Sequence, residues 1–181
     1  AQTLQLHERK ISHVAVHPTA THTLATASND GTVVVWDARK MRRASDALGT
    51  FSHGRAATSA FFSPITGERL LTTSYDDLVR VIELPGGGAK IPEDEDEQDK
   101  IMRKIRHDNQ TGRWLTNFRA TWDPKNDNTF VIGSMKQPRG VDFFTGGTTP
   151  RKWTNVRMTG EFFTTVSSLN AFHPVLDVVA G

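Results

Sequence analysis

The sequence predicts an all-β protein assembled from repeated four-stranded units, and three observations support this. First, Leu6–Lys40 superimposes without a gap on Ser52–Gly86, so that His7 matches His53, 46 residues later. Three further pairs keep that offset: Pro18 with Pro64, Ser28 with Ser74 and Asp30 with Asp76. Second, short runs rich in Val, Thr and Ala recur about every ten residues between turn residues, with no helical stretch between them. Third, a repeat of about 40–45 residues with four strands in each unit is typical of the blades of a β-propeller.

The first unit spans residues 6–50, and its pattern predicts three strands, at Ser12–Val16, Leu24–Ala27 and Val33–Trp36. The strands are separated by residues that favour turns, since Asn, Asp and Gly tolerate a positive φ. The step Asn29-Asp30-Gly31 suits a tight hairpin between the second and third strands. The second unit, residues 51–86, repeats this pattern.

The stretch between the second and third units breaks the period. After the triple glycine Gly86–Gly88 comes an acidic run, Glu93–Asp99, and then a basic segment that begins at Lys100. A run of like charges repels itself and is typical of a solvated or disordered segment. We therefore assign residues 87–106 to an acidic and basic insertion loop.

Two further units are less regular. The third, residues 107–150, contains predicted strands within Phe118–Pro124, Phe130–Ser134 and Val141–Phe144. The fourth, residues 151–181, is incomplete, because the sequence stops soon after Ser167–Pro174. A propeller needs about 4–8 blades to close its ring. We therefore expect three blades and the start of a fourth, as a C-terminal-half fragment of a larger ring that is poorly stable in isolation.

The composition is that of a globular protein with excess positive charge outside the insertion. The formal net charge is +2, and Glu93–Asp99 contains six of the 20 acidic residues, so the remainder carries +8 (2 + 6). Such an excess favours polyanionic partners such as nucleic acid. The chain has no cysteine, which excludes disulfides and cysteine-bound zinc. No apolar run approaches the roughly 20 residues of a membrane helix.

A polar insertion precedes the first strand of the third unit. His107 stands 17 residues before Pro124, whereas the corresponding separation in the regular units is 11 (18 − 7), so six residues have been added. The added segment contains Asn109, Gln110, Thr111, Gly112, Arg113 and Trp114. Loops on a rigid scaffold often carry function, and Trp and Arg can stack on bases or wedge between them. The same residues are equally compatible with Trp114 packed in a blade core and Arg113 as an ordinary surface charge.

The first unit resembles the WD-repeat family, because Trp36-Asp37 follows a run of valines at the end of the third strand. The resemblance implies a buried network of four side chains: His7, Thr26 or Ser28, Asp30 and Trp36. A buried carboxylate needs donors, which the imidazole and indole N–H groups supply. In the second unit Ile82 replaces the tryptophan, so there the network is incomplete. A structural role is favoured over catalysis, since no phosphate loop, His-Glu metal pattern or nucleophile elbow is present, and we predict no enzyme, cofactor or metal site.

The string HDNQTGRW at residues 107–114, with the later strings WDP, FVIGSM, VDFF and SSLNAFHP, adds a narrower resemblance. It is similar to the WD-repeat DNA damage-binding proteins of the fungal changed-mutation-rate type. That group is related to the damaged-DNA-binding subunit of the UV-damage recognition complex. The resemblance implies a partial seven-bladed WD-repeat propeller over residues 1–181. It also implies a nuclear protein that binds single- and double-stranded DNA and prefers UV-damaged DNA.

Two sites follow from this resemblance. In the related subunit a hairpin before the equivalent strand enters the minor groove at a lesion, and residues 111–114 align with it. Together with nearby charges and amides, the predicted DNA contacts are Lys104, Arg106, Asn109, Gln110, Thr111, Gly112, Arg113, Trp114 and Arg119. The box formed by Trp36, Asp37 and Arg39 resembles the docking motif for the adaptor of a cullin ubiquitin ligase. The alternative function is a protein-interaction scaffold or ligase substrate receptor without direct DNA binding.

Overall fold

A computed structural model describes residues 3–84, 86–88, 91–112, 114–146, 152–161 and 163–181. Within these residues the chain forms three four-stranded antiparallel sheets and one two-stranded sheet. In each four-stranded sheet the strands lie side by side in chain order. Consecutive strands that form successive small sheets are typical of propeller blades, so the prediction of an all-β, partial propeller is confirmed.

The first blade contains β1 (Ile11–Val16), β2 (Thr23–Ser28), β3 (Thr32–Asp37) and β4 (Gly49–Ser52). The three strands predicted for this unit lie inside the first three of these. Gly31, between β2 and β3, has a φ of +86°, and a Cβ there would lie 3.0 Å from the His53 carbonyl oxygen. Glycine is therefore required where this hairpin meets the connection to the next blade.

The second blade contains β5 (Ala57–Phe62), β6 (Arg69–Ser74), β7 (Leu78–Glu83) and β8 (Met102–Arg106). The last of these strands lies within the segment predicted from the sequence to be an insertion loop. It pairs with β7 from Leu78 opposite Arg106 to Ile82 opposite Met102. The apolar residue Ile105 packs against the core while its charged neighbours face outward, which is the alternation expected of an edge strand.

The assignment of residues 87–106 to a loop is therefore wrong for residues 95–106. Besides β8, this stretch contains the helix α1 (Glu95–Ile101), and the side chain of Asp94 caps the first turn at 3.1 Å. Acidic side chains in a first helical turn are favourable because the helix N-terminus carries partial positive charge. Gln98 then donates to the Thr50 carbonyl at 3.1 Å, which attaches α1 to the outer strand of the first blade.

The third blade contains β9 (Thr121–Trp122), β10 (Thr129–Gly133), β11 (Gly140–Gly146) and β12 (Trp153–Thr159). β12 pairs with β11 over its whole length, so residues 153–159 belong to the third sheet and not to the fourth unit. The short strands β13 (Ala171–Phe172) and β14 (Val179–Ala180) form a separate pair, which matches the incomplete unit expected near the end of the sequence.

The core consists of two apolar clusters, one between each pair of neighbouring blades. The first joins residues such as Val33 and Val35 to Leu70 and Ile82, and the second lies between the second and third blades. Hydrogen bonds between inner strands reinforce this packing, since Ser12 Oγ donates to the Ala57 carbonyl of the next blade at 2.6 Å. Each fully buried Leu, Ile or Phe stabilises the stack by about 1.5–3 kcal/mol.

Apolar side chains are exposed on the two outer faces of the stack. Val14 and Val16 of β1 lie on one face, and Val156 and Met158 of β12 lie on the other. In a propeller these positions face a neighbouring blade. Among the residues that the structure describes, no helix is long and apolar enough to cross a membrane.

Candidate nucleic-acid interface

Side chains of the first blade form a continuous hydrogen-bonded network. His7 Nε2 lies 2.6 Å from Thr26 Oγ1, which accepts a hydrogen bond from Trp36 Nε1 at 2.8 Å, and His7 Nδ1 lies 3.0 Å from Asp30 Oδ2. Ser28 instead donates to two backbone carbonyls and accepts from the Asp30 N–H. Thr26, rather than Ser28, is therefore the hydroxyl that joins the imidazole to the indole. Burial raises the pKa of Asp30, but hydroxyl, backbone and imidazole donors outweigh burial and lower it to about 2.

In the second blade this network lacks its tryptophan, and the aspartate is bound by an arginine instead. Ile82 occupies the repeat position of the tryptophan, and the buried Arg80 binds Asp76, with Nη1 3.1 Å from Oδ1. Burial raises the pKa of Asp76, but hydrogen bonds led by that from Arg80 lower it to about 2. His53 Nε2 lies 2.9 Å from Thr72 Oγ1, and desolvation lowers the pKa of His53 to about 3. The imidazole is therefore neutral at physiological pH.

His107 starts the third blade in the same way. Its backbone N–H donates to the Asp77 carbonyl at 3.0 Å, just as that of His53 donates to the preceding hairpin at 2.7 Å. His107 Nε2 lies 3.4 Å from Asp142, which Arg157 also binds through Nε at 2.9 Å. Although burial raises the pKa of Asp142, His107 and Arg157 lower it to about 2. These imidazoles and carboxylates tie connecting loops to their blades, which is a structural role.

The added loop of the third blade is anchored at its start by Asn109. This side chain is only 3% exposed; its Nδ2 donates to the carbonyls of Ser74 at 2.9 Å and Leu78 at 3.1 Å, and its Oδ1 lies 2.8 Å from His107 Nδ1. The prediction that Asn109 contacts DNA is therefore wrong, because all its polar atoms are used inside the protein. Gln110 is exposed, and its amide donates to the turn between β6 and β7.

Trp114 projects from this anchored loop into solvent. Its side chain is 93% exposed, which excludes the alternative of packing in a blade core. It lies in a turn in which the Leu115 N–H donates to the Gly112 carbonyl at 3.1 Å. Gly112 is exposed and does not have a positive φ, so the turn does not depend on glycine there, and Thr111 is half-buried. Arg113 lies outside the described residues.

The loop lies at one end of the blades, and we call the residues gathered there the loop face: residues 8–10, 29–31, 53–56, 75–78, 106–112, 114 and 136. Two adjoining clefts lie in it, one lined by Arg106 and Lys136 and the other by Arg9 and Arg55. Its exposed cations among the described residues are Arg9, Lys10, Arg55, Arg106 and Lys136, and its exposed carboxylates are Glu8, Asp77 and Asp108.

Four of these five cations are absent from the DNA contacts predicted from the sequence, although a signal for two of them was present. Arg9 and Arg55 are separated by the 46-residue offset, and each stands two positions after the repeated histidine. They therefore occupy equivalent places in successive connections between blades. Lys136 carries no such signal, because it lies in a turn of the irregular third unit.

Two other predicted DNA contacts lie away from the loop face. Lys104 lies on the outer strand β8, where its Nζ binds Asp99 at 2.9 Å. Arg119 is half-buried just before β9, and its charge lies close enough to His13 to assist burial in lowering the pKa of that imidazole. The predictions for these two residues are not supported, because neither joins the cluster of exposed cations.

The three residues predicted to dock a partner have different exposures. Trp36 is only 1% exposed and its N–H is used by Thr26, so it cannot contact a partner. Asp37 is buried and binds Arg39 through two hydrogen bonds, Nε to Oδ1 at 2.9 Å and Nη2 to Oδ2 at 2.7 Å. The hydrogen bond from Arg39 holds the pKa of Asp37 well below its usual value. Arg39 alone is presented to solvent, with 63% of its side chain exposed.

Comparison with known proteins supports the repeat architecture of the blades. The family model for the WD domain, G-beta repeat, matches residues 1–37, which include the network of the first blade. Residues 1–37 therefore match one WD repeat. Among solved structures, it is similar to Sqt1 of Saccharomyces cerevisiae, with a TM-score of 0.63 over 92% of this chain and 39% of that one. At 17% identity, this likeness shows the fold alone.

Curated relatives extend the WD-repeat similarity along the whole chain. WD repeat-containing protein 76 of Xenopus laevis is 34% identical over 99% of this chain. DNA damage-binding protein CMR1 of Chaetomium globosum is 34% identical over 97%, and DNA damage-binding protein 2 of Mus musculus is 29% identical over 98%. The resemblance to DNA damage-binding proteins is thus confirmed. The chain spans 29%, 34% and 40% of the length of these three relatives, respectively.

Proposed function

We propose that this WD-repeat protein is a nuclear, non-enzymatic DNA-binding protein that binds single- and double-stranded DNA and prefers UV-damaged DNA. Two relatives named as DNA damage-binding proteins support the proposal. The observation that carries it is the 93% exposure of Trp114, on an anchored loop beside exposed cations. An aromatic side chain next to positive charges can stack on a base while the charges bind the phosphates.

The cations of the loop face supply affinity that does not depend on sequence. Arg106 and Lys136 line one cleft, and Arg9 and Arg55 line the next, so positive charge extends along neighbouring blades. Each phosphate contact releases counterions, and this release drives binding. The face also contains five carboxylates, those of Glu8, Asp30, Asp76, Asp77 and Asp108, so its formal net charge is zero (5 − 5). Attraction of phosphates therefore depends on the greater exposure of the cations, since Asp30 and Asp76 are partly buried and hydrogen-bonded within the protein.

Trp114 supplies the preference for damaged DNA. A large apolar side chain inserted between base pairs must separate them, which costs a few kcal/mol at an intact step. A damaged base pair is less costly to open, so the same insertion is favoured there. Asn109 anchors the start of the loop, which reduces the conformational entropy that the loop loses when its tip binds.

The test is a comparison of full-length wild type with Trp114→Ala on irradiated and intact duplexes, measured by fluorescence anisotropy. Loss of one base-stacking contact costs about 1–3 kcal/mol, so affinity for irradiated DNA should fall roughly 5- to 150-fold. Affinity for intact DNA should fall less, and Trp114→Phe should retain part of the preference.

Lys104→Ala is the matched control, since it removes an exposed cation that binds Asp99 away from the loop face. This variant should bind both DNAs as the wild type does. The proposal is contradicted if Trp114→Ala keeps its full preference for irradiated DNA, or if Lys104→Ala weakens binding as much as the tryptophan variant does.

A second function, docking to the adaptor of a cullin ubiquitin ligase, is favoured by the position of Arg39. Its guanidinium is oriented by two hydrogen bonds to Asp37 while most of the side chain faces solvent. An oriented guanidinium can present its remaining N–H groups to carbonyl or carboxylate acceptors of a partner. In a pull-down with the purified adaptor, Arg39→Ala and Arg39→Lys should both lose binding, whereas Lys40→Ala should retain it. Unchanged capture by Arg39→Ala would exclude this docking mode.

A further inference from the structure

We propose that Ser45 is a phosphorylation site for a basophilic serine/threonine protein kinase, an inference independent of DNA binding. Ser45 lies in the connection between β3 and β4, at the opposite end of the first blade from the loop face, and is exposed. Four exposed cations surround it along the chain and, with Asp46, line a shallow cleft: Arg39, Lys40, Arg42 and Arg43.

The charge pattern around Ser45 suits this class of enzyme. Arg42 and Arg43 precede Ser45 by three and two residues, where carboxylates in the substrate groove of a basophilic kinase select positive side chains. Such charge patterns are a general source of kinase specificity. The two guanidinium groups are exposed, and only Arg43 binds an acid, through an exposed contact of 3.3 Å with Asp46. A weak, solvent-exposed pair of this kind is readily exchanged for carboxylates of the enzyme.

The local backbone allows a kinase to bind the segment in extended form. Ser45 lies in a single 3-10 turn, Ala44–Asp46, in which no residue is buried. Unwinding that turn breaks the hydrogen bonds that Asp46 makes with Arg42 and Arg43, all of them at the surface, and it exposes no core. Loops whose backbone hydrogen bonds face solvent open locally at low free-energy cost. The serine hydroxyl can therefore reach an active site without unfolding the blade.

A second serine with the same preceding charges provides the contrast. Ser12 follows Arg9 and Lys10 at the same spacing. However, Ser12 lies in β1, and its hydroxyl donates to the Ala57 carbonyl at 2.6 Å and to the Ala27 carbonyl at 3.0 Å. To reach a kinase it would have to leave the interface between two blades. The sequence thus contains two candidate sites, and the fold leaves one of them accessible.

The reaction is a phosphoryl transfer from ATP. The Ser45 Oγ–P bond forms as the bond between the γ-phosphorus and its bridging oxygen to the β-phosphate breaks, and ADP leaves. The hydroxyl proton passes to the catalytic carboxylate of the kinase. Residues 38–48 carry a charge of +3 before the reaction, from four cations and one aspartate. A phosphoserine adds about −1.5 to −2 and three acceptor oxygens, so it would neutralise about half to two thirds of this charge and draw Arg42 and Arg43 toward itself.

The test uses the folded full-length protein, labelled ATP and purified cyclic-AMP-dependent protein kinase, with the modified residues located by mass spectrometry. Phosphate should appear at Ser45, and Ser45→Ala should abolish most of the incorporation. Arg42→Ala with Arg43→Ala should lower kcat/KM roughly tenfold or more. Ser12 should remain unmodified, and Ser12→Ala should incorporate phosphate as the wild type does.

Two synthetic peptides, residues 5–15 and residues 38–48, separate recognition from accessibility. Both should be phosphorylated, because both contain the charge pattern without the fold. The proposal is overturned if the peptide 38–48 is not a substrate, if Ser45 in the folded protein is unmodified, or if Ser12 is modified as fast as Ser45.

Discussion

At the residue scale, Thr26 joins two side chains of the first blade through one hydroxyl. It contacts both the imidazole of His7 and the indole of Trp36. At the equivalent position of the second blade, Thr72 contacts only His53, because Ile82 has no polar atom. The two threonines therefore form a natural pair for measuring how much one hydroxyl contributes when it serves two partners instead of one.

We predict that Thr26→Val destabilises the full-length protein more than Thr72→Val does. A buried donor or acceptor left without a partner costs about 1–3 kcal/mol. Thr26→Val leaves two groups without a partner and should lower the free energy of unfolding by about 2–6 kcal/mol, against about 1–3 kcal/mol for Thr72→Val, which leaves one. Urea unfolding followed by circular dichroism measures both; equal losses would show that the indole bond contributes nothing.

The buried titratable groups predict a loss of stability in acid. The pKa values of Asp76 and Asp142 are lowered to about 2, so their contribution is present at neutral pH and disappears as the pH falls from about 4 toward 2. Desolvation lowers the pKa of His53 to about 3, so the unfolded state binds a proton first and stability declines below about pH 6.5.

Unfolding midpoints measured between pH 7 and 3 should therefore fall continuously on acidification. His53→Gln removes the imidazole but keeps a side chain that can bond to Thr72, and it should flatten the part of the profile between pH 6.5 and 4. The aspartate-dependent part below pH 4 should remain. An unchanged profile for His53→Gln would show that this histidine does not titrate with unfolding.

At the element scale, the loop of the third blade is held at its base and free at its tip. Asn109 uses its whole side chain within the protein, whereas Trp114 contacts solvent. A rigid base with an exposed tip is the arrangement expected of a binding loop on a stable scaffold.

We predict that Asn109→Ala weakens DNA binding although Asn109 does not touch DNA. Two backbone carbonyls and an imidazole lose their partner, which should cost about 1–3 kcal/mol of stability and loosen the loop. The preference for irradiated DNA should shrink, as measured by anisotropy, while circular dichroism stays native. Gln110→Ala, at an exposed neighbouring position, is the control and should change the preference less. A larger loss of preference in Gln110→Ala than in Asn109→Ala would indicate that Gln110 itself contacts the DNA.

The helix α1 shows how an element can be hidden by its composition. The run of acidic residues taken alone predicts a solvated segment. In the structure, however, Asp94 caps the helix and Gln98 attaches it to β4. Packing of Ile91 against Gly49 completes the attachment, since a Cβ at Gly49 would lie 2.3 Å from the Ile91 side chain. Favourable capping and a few tertiary contacts therefore outweigh self-repulsion of the acids.

At the scale of the whole molecule, the proposed function requires the cations of the loop face to bind DNA together. If Arg106 and Lys136 each bind a phosphate, the double variant with alanine at both positions should reduce the slope of log affinity against log salt by about 1.8 on duplex DNA. Titration of anisotropy between low and moderate salt measures this slope. Lys104→Ala should leave the slope unchanged, and an equal change in both variants would show that binding depends on total charge rather than on this face.

The stack also presents two apolar outer faces, at β1 and at β12. Each blade buries its own inner face against a neighbour, and the clusters between the first, second and third blades show the packing that such faces make. In repeat proteins stability arises mainly from these nearest-neighbour interfaces. This is the reason for expecting the 181-residue chain to be weakly stable when studied alone.

The repeat, the strands and the resemblance to DNA damage-binding WD-repeat proteins could all be predicted from the amino-acid order, because turn residues and strand periodicity are local properties. The same local signals singled out the loop that contains Trp114. The exposure of Trp114, the use of Asn109 inside the protein and the accessibility of Ser45 but not of Ser12 became known from the folded chain. Exposure and hydrogen bonding depend on residues brought together from distant parts of the chain, and no local pattern encodes them.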